Sequence, residues 1–157
     1  MDAPTPHPPD GPFDEEDFRT GMEQLFYAYR DFIAEPDAIL KPLGFGRAHH
    51  RVIFFVGRYP GMTVSELLEI LQITKQSLSR VLSQLIREGH VVQQQGIEDR
   101  RQRHLHLTDE GRALERRLSE DQRRRFQRAY AEAGADAVAG FRQVLANMIS
   151  RPPPRSK

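Results

Sequence analysis

With 157 residues the chain can form one domain with its own hydrophobic core, and two independent domains are not expected. It contains no cysteine, which excludes disulfides, thiolate metal sites and thiol-based redox switches. The longest apolar runs, such as residues 52–56, are far below a membrane span, and the start of the chain lacks the pattern of a signal peptide. We therefore expect a soluble, cytoplasmic protein with no membrane partner.

The net charge of +1 conceals an uneven distribution along the chain. Residues 1–37 hold ten acids and two arginines, a net charge of −8. Residues 75–128 hold thirteen lysines and arginines and eight acids, a net charge of +5. This asymmetry indicates that the second half of the chain faces a polyanion. Within that half, residues 116–128 are typical of a solvated helix, and residues 75–103 favour DNA as the partner.

The first helix is predicted over residues 13–34, where apolar residues recur at steps of three and four. Four consecutive acids at 14–17 suit the positive end of its dipole, so a solvated helix start is favoured over a metal or acid–base cluster. Pro36 is expected to end the helix. The proline-rich residues 1–12 and 151–157 lack a core-forming pattern, and we expect disordered tails there.

A helix-turn-helix unit is predicted next. One helix is expected from Arg47 to Gly57, and residues 59–61 form a turn. Thr63 and Glu66 are spaced as a capping box that opens a short helix over residues 64–71.

The second helix of the unit follows a brief turn. Thr74 is a good N-cap for it, and Gly89 is a good C-terminal stop. Its inward face is expected to comprise Leu78, Val81, Leu82, Leu85 and Ile86.

A two-stranded tip follows this helix. Val91 and Val92 begin one strand, and residues 104–107 alternate between histidine and leucine on its partner. The turn between them is rich in arginine. A helix followed by a basic two-stranded tip is how a winged helix-turn-helix holds DNA, with the helix in the major groove and the tip at the backbone or minor groove.

Two helices close the chain. Thr108 caps a long connecting helix over residues 109–131, and Gly134 separates it from a last helix within 134–150. The first and last helices carry more apolar surface than a small winged-helix core can cover, so we expect them to dimerise with a second copy. Residues 13–150 then form a single domain, with the winged helix-turn-helix at 47–108.

At this point the sequence resembles the MarR family of bacterial transcriptional regulators. The family's wing signature is an Asp, any residue, an Arg, three residues of any kind, an aliphatic residue, any residue, Leu-Thr, two residues of any kind and a Gly. Residues 99–111 read DRRQRHLHLTDEG and fill every fixed position. Pro60-Gly61, Thr63 and Glu66-Leu67 also fit, as does the helix order. The complete wing match is specific, whereas a helix-turn-helix pattern alone would be weak.

The resemblance implies a mainly α fold with a small β-wing, and a homodimer whose N- and C-terminal helices interlock. It implies binding of double-stranded DNA at a pseudo-palindromic operator, usually to repress transcription, with release by a small-molecule effector or an oxidant. In the family the wing Asp pairs with the wing Arg, which reaches the minor groove; here these are Asp99 and Arg101. The absence of cysteine excludes the thiol-oxidation mechanism, and His90 stands where an apolar residue is common.

Side chains of the second helix and the wing are the candidates for DNA contacts. Gln76 can pair with adenine and Arg80 with guanine, although either could be an ordinary exposed residue. Short hydroxyl side chains suit phosphates, and Ser77 could equally support the helix cap. Arg100 and Arg103 could contact the backbone or only solvent. The full set is Thr74, Lys75, Gln76, Ser77, Ser79, Arg80, Ser83, Asp99, Arg100, Arg101 and Arg103.

An effector pocket is expected between the dimerisation helices and the DNA-binding core, unless its walls are plain core and interface packing. The candidate walls are Phe26, Tyr29, Arg30, His50, Arg51 and Phe54. The histidine pairs His49-His50 and His104/His106 invite a metal interpretation. Neighbouring helix residues diverge by about 100°, however, and no third ligand accompanies either pair, so neither a metal nor a cofactor is expected.

Three functions compete at this stage. An effector-controlled transcriptional regulator is favoured. A winged-helix protein that binds DNA constitutively, or that serves as a protein-contact module, would show no ligand that shifts its DNA affinity. An enzyme is not expected, because the chain has no nucleophile-elbow pattern, phosphate-cradling glycine loop or HExxH motif.

Overall fold

The computed structural model describes residues 11–151 and is mainly helical with one small sheet. The elements in chain order are α1 (Glu15–Leu40), a 3-10 helix (Lys41–Leu43), α2 (Arg47–Arg58), β1 (Met62–Thr63), α3 (Val64–Leu71), α4 (Lys75–Arg87), β2 (Val91–Gln95), β3 (Arg103–Leu107), α5 (Asp109–Ala133) and α6 (Ala135–Met148). The expected fold class is confirmed. The expected tails, apart from residues 11, 12 and 151, lie outside the described residues. No described helix is long and apolar enough to span a membrane.

Local sequence signals set most helix starts. Thr63 and Glu66 form the expected capping box, with Thr63 Oγ1 accepting the Glu66 N–H at 3.1 Å. Thr108 Oγ1 accepts the Gly111 N–H at 3.0 Å and opens α5. Gly134, with φ of 85°, separates α5 from α6.

The sheet is antiparallel, in the order β1-β3-β2. Val91 pairs with Leu107 and Gln95 with Arg103, so β2 and β3 form the hairpin expected from the sequence. β1 is an addition that the sequence did not predict. It is only two residues long, with Met62 opposite Leu105, and so short a strand leaves no periodic pattern.

The core lies where α2, α3, α4 and the sheet meet. Its fully buried members include Ile53, Leu67, Leu85 and Leu105. The inward face of α4 is as expected except that Ile86 is only partly buried. This core holds α4 and the hairpin in fixed positions relative to each other.

The expectation that Pro36 ends α1 was wrong, because the helix runs on to Leu40 with Pro36 buried inside it. Proline has no N–H, so the Phe32 carbonyl loses its helical donor. The buried amide of Gln122 on α5 donates to that carbonyl instead, at 3.1 Å. A tertiary hydrogen bond thus replaces the missing helical one and ties α1 to α5.

The last glycine of the wing signature, Gly111, has a packing role. A Cβ at this position would lie 2.0 Å from the backbone oxygen of His90. The same oxygen accepts the N–H of Thr108 at 3.0 Å. Only glycine therefore lets the start of α5 approach the backbone just before β2 so closely.

Candidate nucleic-acid interface

Helix α4 presents a polar face to solvent next to the core. Thr74 Oγ1 accepts the Ser77 N–H at 3.1 Å and donates to Ser77 Oγ at 2.9 Å. Thr74 and Ser77 therefore both take part in the N-terminal cap of α4, which is the alternative role considered for Ser77. Within the described part of the chain, the exposed side chains of Gln76 and Arg80 make no hydrogen bond or ion pair, so their donors and acceptors are available to a ligand.

A groove of about 490 Å³ runs beside α4. Lys75, Gln76, Ser79 and Ser83 line it from the helix, and Gln93 lines it from β2. Gln93 was missed by the sequence reasoning. The signal was the run of three glutamines at 93–95, which is polar on both faces of a strand where alternation would be usual.

The wing tip is a loop of residues 96–102 that is closed by its own hydrogen bonds. The N–H of Gly96 donates to the Gln102 carbonyl at 3.0 Å, and the N–H of Gln102 donates to the Asp99 carbonyl at 3.1 Å. The amide of Gln95 donates to the Arg100 carbonyl at 2.9 Å. A Cβ at Gly96 would lie 2.4 Å from the Asp99 oxygen, so glycine is required for this compact turn.

Asp99 and Arg101 do interact, but not through the side-chain ion pair that was expected. The Asp99 carboxylate accepts the backbone N–H of Arg101 at 2.9 Å, and no ion pair joins it to the guanidinium. Because the carboxylate closes the turn through the backbone, the Arg101 side chain is left to point outwards. Asp99 therefore shapes the tip, although it was expected among the DNA-binding residues.

Helix α4 and the wing carry five exposed cations without an ion pair in the described part of the chain. Lys75, Arg80, Arg100, Arg101 and Arg103 are exposed, and no carboxylate lies within ion-pair distance of any of them in residues 11–151.

Some arginines of α5 are in ion pairs with carboxylates of the same helix. Arg124 and Arg125 pair with Glu120 and Asp121 at helical spacing, at 3.3 and 2.7 Å. These pairs agree with the solvated helix expected there. Four other exposed arginines of α5 have no ion pair in residues 11–151, so the cations of α4 and the wing are distinguished by their place in the winged helix-turn-helix and not by a lack of carboxylate partners elsewhere.

A separate cleft of about 320 Å³ lies between α1, α2 and α5. Four of the six expected pocket residues line it: Tyr29, His50, Arg51 and Phe54. The structure adds Phe32, Ile33, Asp37, Arg47, Phe55 and Gln122.

Phe26 and Arg30 do not line the cleft, and their expected part in an effector pocket stays a prediction. Phe26 lies about one helical turn before Tyr29 on α1, and its ring packs edge-on against Tyr27. The Arg30 guanidinium binds Asp31 at 2.9 Å and lies over the Tyr27 ring.

The polar groups of the cleft give it a mixed character. Burial lowers the pKa of the His50 imidazole below its ordinary value, although Asp37 and Glu115 oppose the shift. Arg47 binds Asp37 at 3.1 Å, and Arg51 donates to the Tyr29 hydroxyl at 3.4 Å. Aromatic walls beside an unpaired Arg51 can accommodate a flat ligand that carries a negative charge.

His49 and His104 have structural contacts. His49 Nδ1 accepts the Gly46 N–H at 3.0 Å, so its Nε2 carries the proton and donates to Gln84 at 2.8 Å. His104 Nδ1 donates to the Gly61 carbonyl at 2.8 Å. Among residues 11–151, no three His, Asp or Glu side chains converge on a possible metal position.

Comparison with known proteins gives a family model and a close relative. The model described as "MarR family" matches residues 43–102, which run from the 3-10 helix through the wing tip. The chain is 55% identical over 135 residues to the HTH-type transcriptional regulator PetP of Rhodobacter capsulatus, covering 86% of this chain and 81% of that protein.

Solved structures show a similar fold. FabT of Streptococcus pneumoniae in complex with DNA superposes with a TM-score of 0.71 at 21% identity, covering 84% of this chain and 94% of that one. A MarR family protein of Mycobacterium tuberculosis in complex with p-aminosalicylic acid gives a TM-score of 0.54 at 24% identity, covering 81% and 96%.

Proposed function

We propose that the chain, which belongs to the MarR family of DNA-binding transcriptional regulators, is a homodimeric repressor. It binds a pseudo-palindromic operator and leaves it when a small molecule occupies the α1–α2–α5 cleft. One observation carries the DNA-binding part of this proposal. Five exposed cations that have no ion pair in residues 11–151 lie on α4 and the wing, the two elements with which a winged helix-turn-helix meets DNA.

In this proposal α4 lies in the major groove. Gln76 and Arg80 stand one helical turn apart, with side chains free to pair with adenine and guanine edges. Lys75, Ser79 and Ser83 share the groove beside them and suit phosphates or base edges. The wing arginines reach the minor groove and the flanking backbone.

The dimer part of the proposal depends on the outer helices. An apolar groove of about 650 Å³ between α1 and α6 is lined by residues such as Met22 and Val144, which are 63% and 57% exposed. A surface of this kind is rarely left to solvent. A second copy covers it with the same surface, and two α4 helices related by a two-fold axis then fit half-sites one helical turn apart.

Dimerisation can be tested with Met22→Glu and Val144→Glu. Each places a charge on the outer groove, so we expect light scattering to give one chain per particle instead of two, with the circular dichroism unchanged. Glu23→Lys, on the same helix, is the matched control and should keep the mass of the wild type. A wild type that elutes as a single chain at micromolar concentration would refute the dimer.

The effector part of the proposal rests on the contents of the cleft. Aromatic rings form its walls, and Arg51 offers a guanidinium that no carboxylate neutralises within residues 11–151. The related Mycobacterium tuberculosis protein binds p-aminosalicylic acid, an aromatic carboxylate. Because α1 is part of the dimer surface and α5 connects α6 to the DNA-binding core, a ligand wedged among α1, α2 and α5 changes the spacing of the two α4 helices.

The effector can be sought with p-aminosalicylate as the first probe. We expect it to lower the affinity of the protein for its operator, and Arg51→Ala to abolish that effect while leaving DNA binding intact. Arg30→Ala is the matched control, because Arg30 lies outside the cleft and should keep the response. DNA affinity that is unchanged by any aromatic carboxylate would favour the constitutive DNA-binding protein instead.

We further propose that the chain is not an enzyme and acts in the cytoplasm, where its DNA target lies. The side chains gathered on α4 and the wing serve binding, and this function requires no cofactor.

A further inference from the structure

Ile97 is the most exposed large apolar residue of the described chain. Its side chain is 98% exposed, whereas the next, Phe26, is 64% exposed and lies on the outer helices assigned to dimerisation. A lone exposed aliphatic residue would ordinarily need no explanation. The position of Ile97, at the outermost turn of the wing, is what sets it apart.

The loop that carries Ile97 is preorganised. Backbone bonds from Gly96 to Gln102 and from Gln102 to Asp99 close it, and the Asp99 carboxylate holds the Arg101 N–H. The Ile97 side chain takes no part in closing the loop. A loop that is already ordered loses little entropy when its tip enters a partner.

The loop of Ile97 also carries two arginines that are unpaired within the described chain. Arg100 and Arg101 follow it in the same loop, and neither is paired with a carboxylate in residues 11–151. The loop also holds two acids, Glu98 and Asp99, which border a cavity beside the wing together with Ile97. The Asp99 carboxylate is engaged by the Arg101 N–H. An aliphatic tip flanked by guanidinium groups complements a groove with anionic edges and an apolar floor and walls, which is the chemistry of the DNA minor groove.

We propose that Ile97 enters the minor groove at each end of the operator and packs against deoxyribose and base edges, as an apolar contact separate from the phosphate contacts of the arginines. This inference rests on the proposed function, because it requires that the wing meets DNA. It assigns part of the operator affinity to a contact that salt does not weaken. Counterion release depends only on the charges that the protein neutralises.

The salt dependence of affinity separates the two kinds of contact. Fluorescence anisotropy would follow binding to the duplex that the wild type selects from random DNA, from about 50 to about 200 mM salt. Ile97→Ser should weaken binding about tenfold per wing, about 1.4 kcal/mol, and hence about a hundredfold for a dimer. The slope of log K against log salt should not change.

Three further variants complete the test. Ile97→Val keeps an apolar tip and should bind within about threefold of the wild type. Arg101→Ala should reduce the salt slope by about one for each wing. Val92→Ser removes another exposed aliphatic side chain from the same sheet, away from the tip, and should bind like the wild type.

Two results would overturn the proposal. Wild-type affinity in Ile97→Ser would show that the tip makes no apolar contact, and a changed salt slope in that variant would show that the loop acts only through its charges. A wild type that binds no duplex would overturn the proposed function together with this inference. Failure of the inference alone is therefore recognisable, since the wild type and Arg101→Ala would still behave as expected.

Discussion

The hydrogen bond between Gln122 and the Phe32 carbonyl is expected to stabilise the joint between α1 and α5. Gln122→Leu keeps the approximate volume of the side chain but leaves that carbonyl without a donor. An unsatisfied group of this kind costs about 1–3 kcal/mol, because it has lost water without gaining a partner. For a domain of this size, each 1 kcal/mol lowers the melting temperature by about 2–4 °C.

The Gln122 bond replaces the N–H that Pro36 lacks, so the two positions can be compared in a double-mutant cycle. Pro36→Ala restores the N–H that a helix would offer to the Phe32 carbonyl. In that background Gln122→Leu should therefore cost less, with a coupling energy of about 1 kcal/mol or more. Urea unfolding followed by circular dichroism, at one fixed protein concentration, would measure all four variants.

The control is Gln127→Leu, which changes an exposed glutamine of the same helix and should stay within about 0.5 kcal/mol of the wild type. The reasoning would be refuted if Gln122→Leu destabilised the protein equally with and without Pro36. In that case the cost would come from the leucine itself and not from the orphaned carbonyl.

The other predictions concern separate parts of the molecule. Gly111→Ala should destabilise the protein by about 3 kcal/mol or more, because its Cβ would lie 2.0 Å from the His90 oxygen, and a loss below about 1 kcal/mol in urea would show that α5 can move aside. Burial lowers the pKa of His50, so as the pH falls below about 6.5 the imidazole takes up a proton in the unfolded state before it does so in the folded state. Stability should therefore decrease as the pH falls. His50→Gln should make this decrease smaller in unfolding measured at several pH values. A variant as acid-sensitive as the wild type would remove His50 from that role. Gln93→Ala should weaken operator binding several-fold in anisotropy, and unchanged affinity would exclude Gln93 from the interface.

Features that depend on neighbouring residues could be predicted from the sequence. The caps at Thr63, Thr74 and Thr108 act within three residues, and all three open a helix in the structure. The wing signature is similarly local, since its fixed positions form one hairpin and the start of the next helix. This is why the fold class and most of the candidate interface could be predicted.

Features that depend on distant parts of the chain could not be predicted. The donor that allows Pro36 inside α1 comes from Gln122, and no local pattern connects residues so far apart in sequence. The expected pocket residues Phe26 and Arg30 lie outside the cleft for a related reason, because its walls come from three helices that are distant in sequence. Asp99 was assigned to the correct turn, but the family pattern did not distinguish the backbone N–H of Arg101 from its side chain.

The most direct test of the account is a selection on random double-stranded DNA with the wild type, Arg80→Ala and Arg103→Ala in parallel. We predict that the wild type selects two inverted half-sites about one helical turn apart, with a steep salt dependence of affinity. Arg80→Ala should lose preference at one or two positions of each half-site, whereas Arg103→Ala should select the same sequence with weaker affinity throughout. No enriched sequence, or a single half-site, would contradict a dimer that reads DNA through two α4 helices.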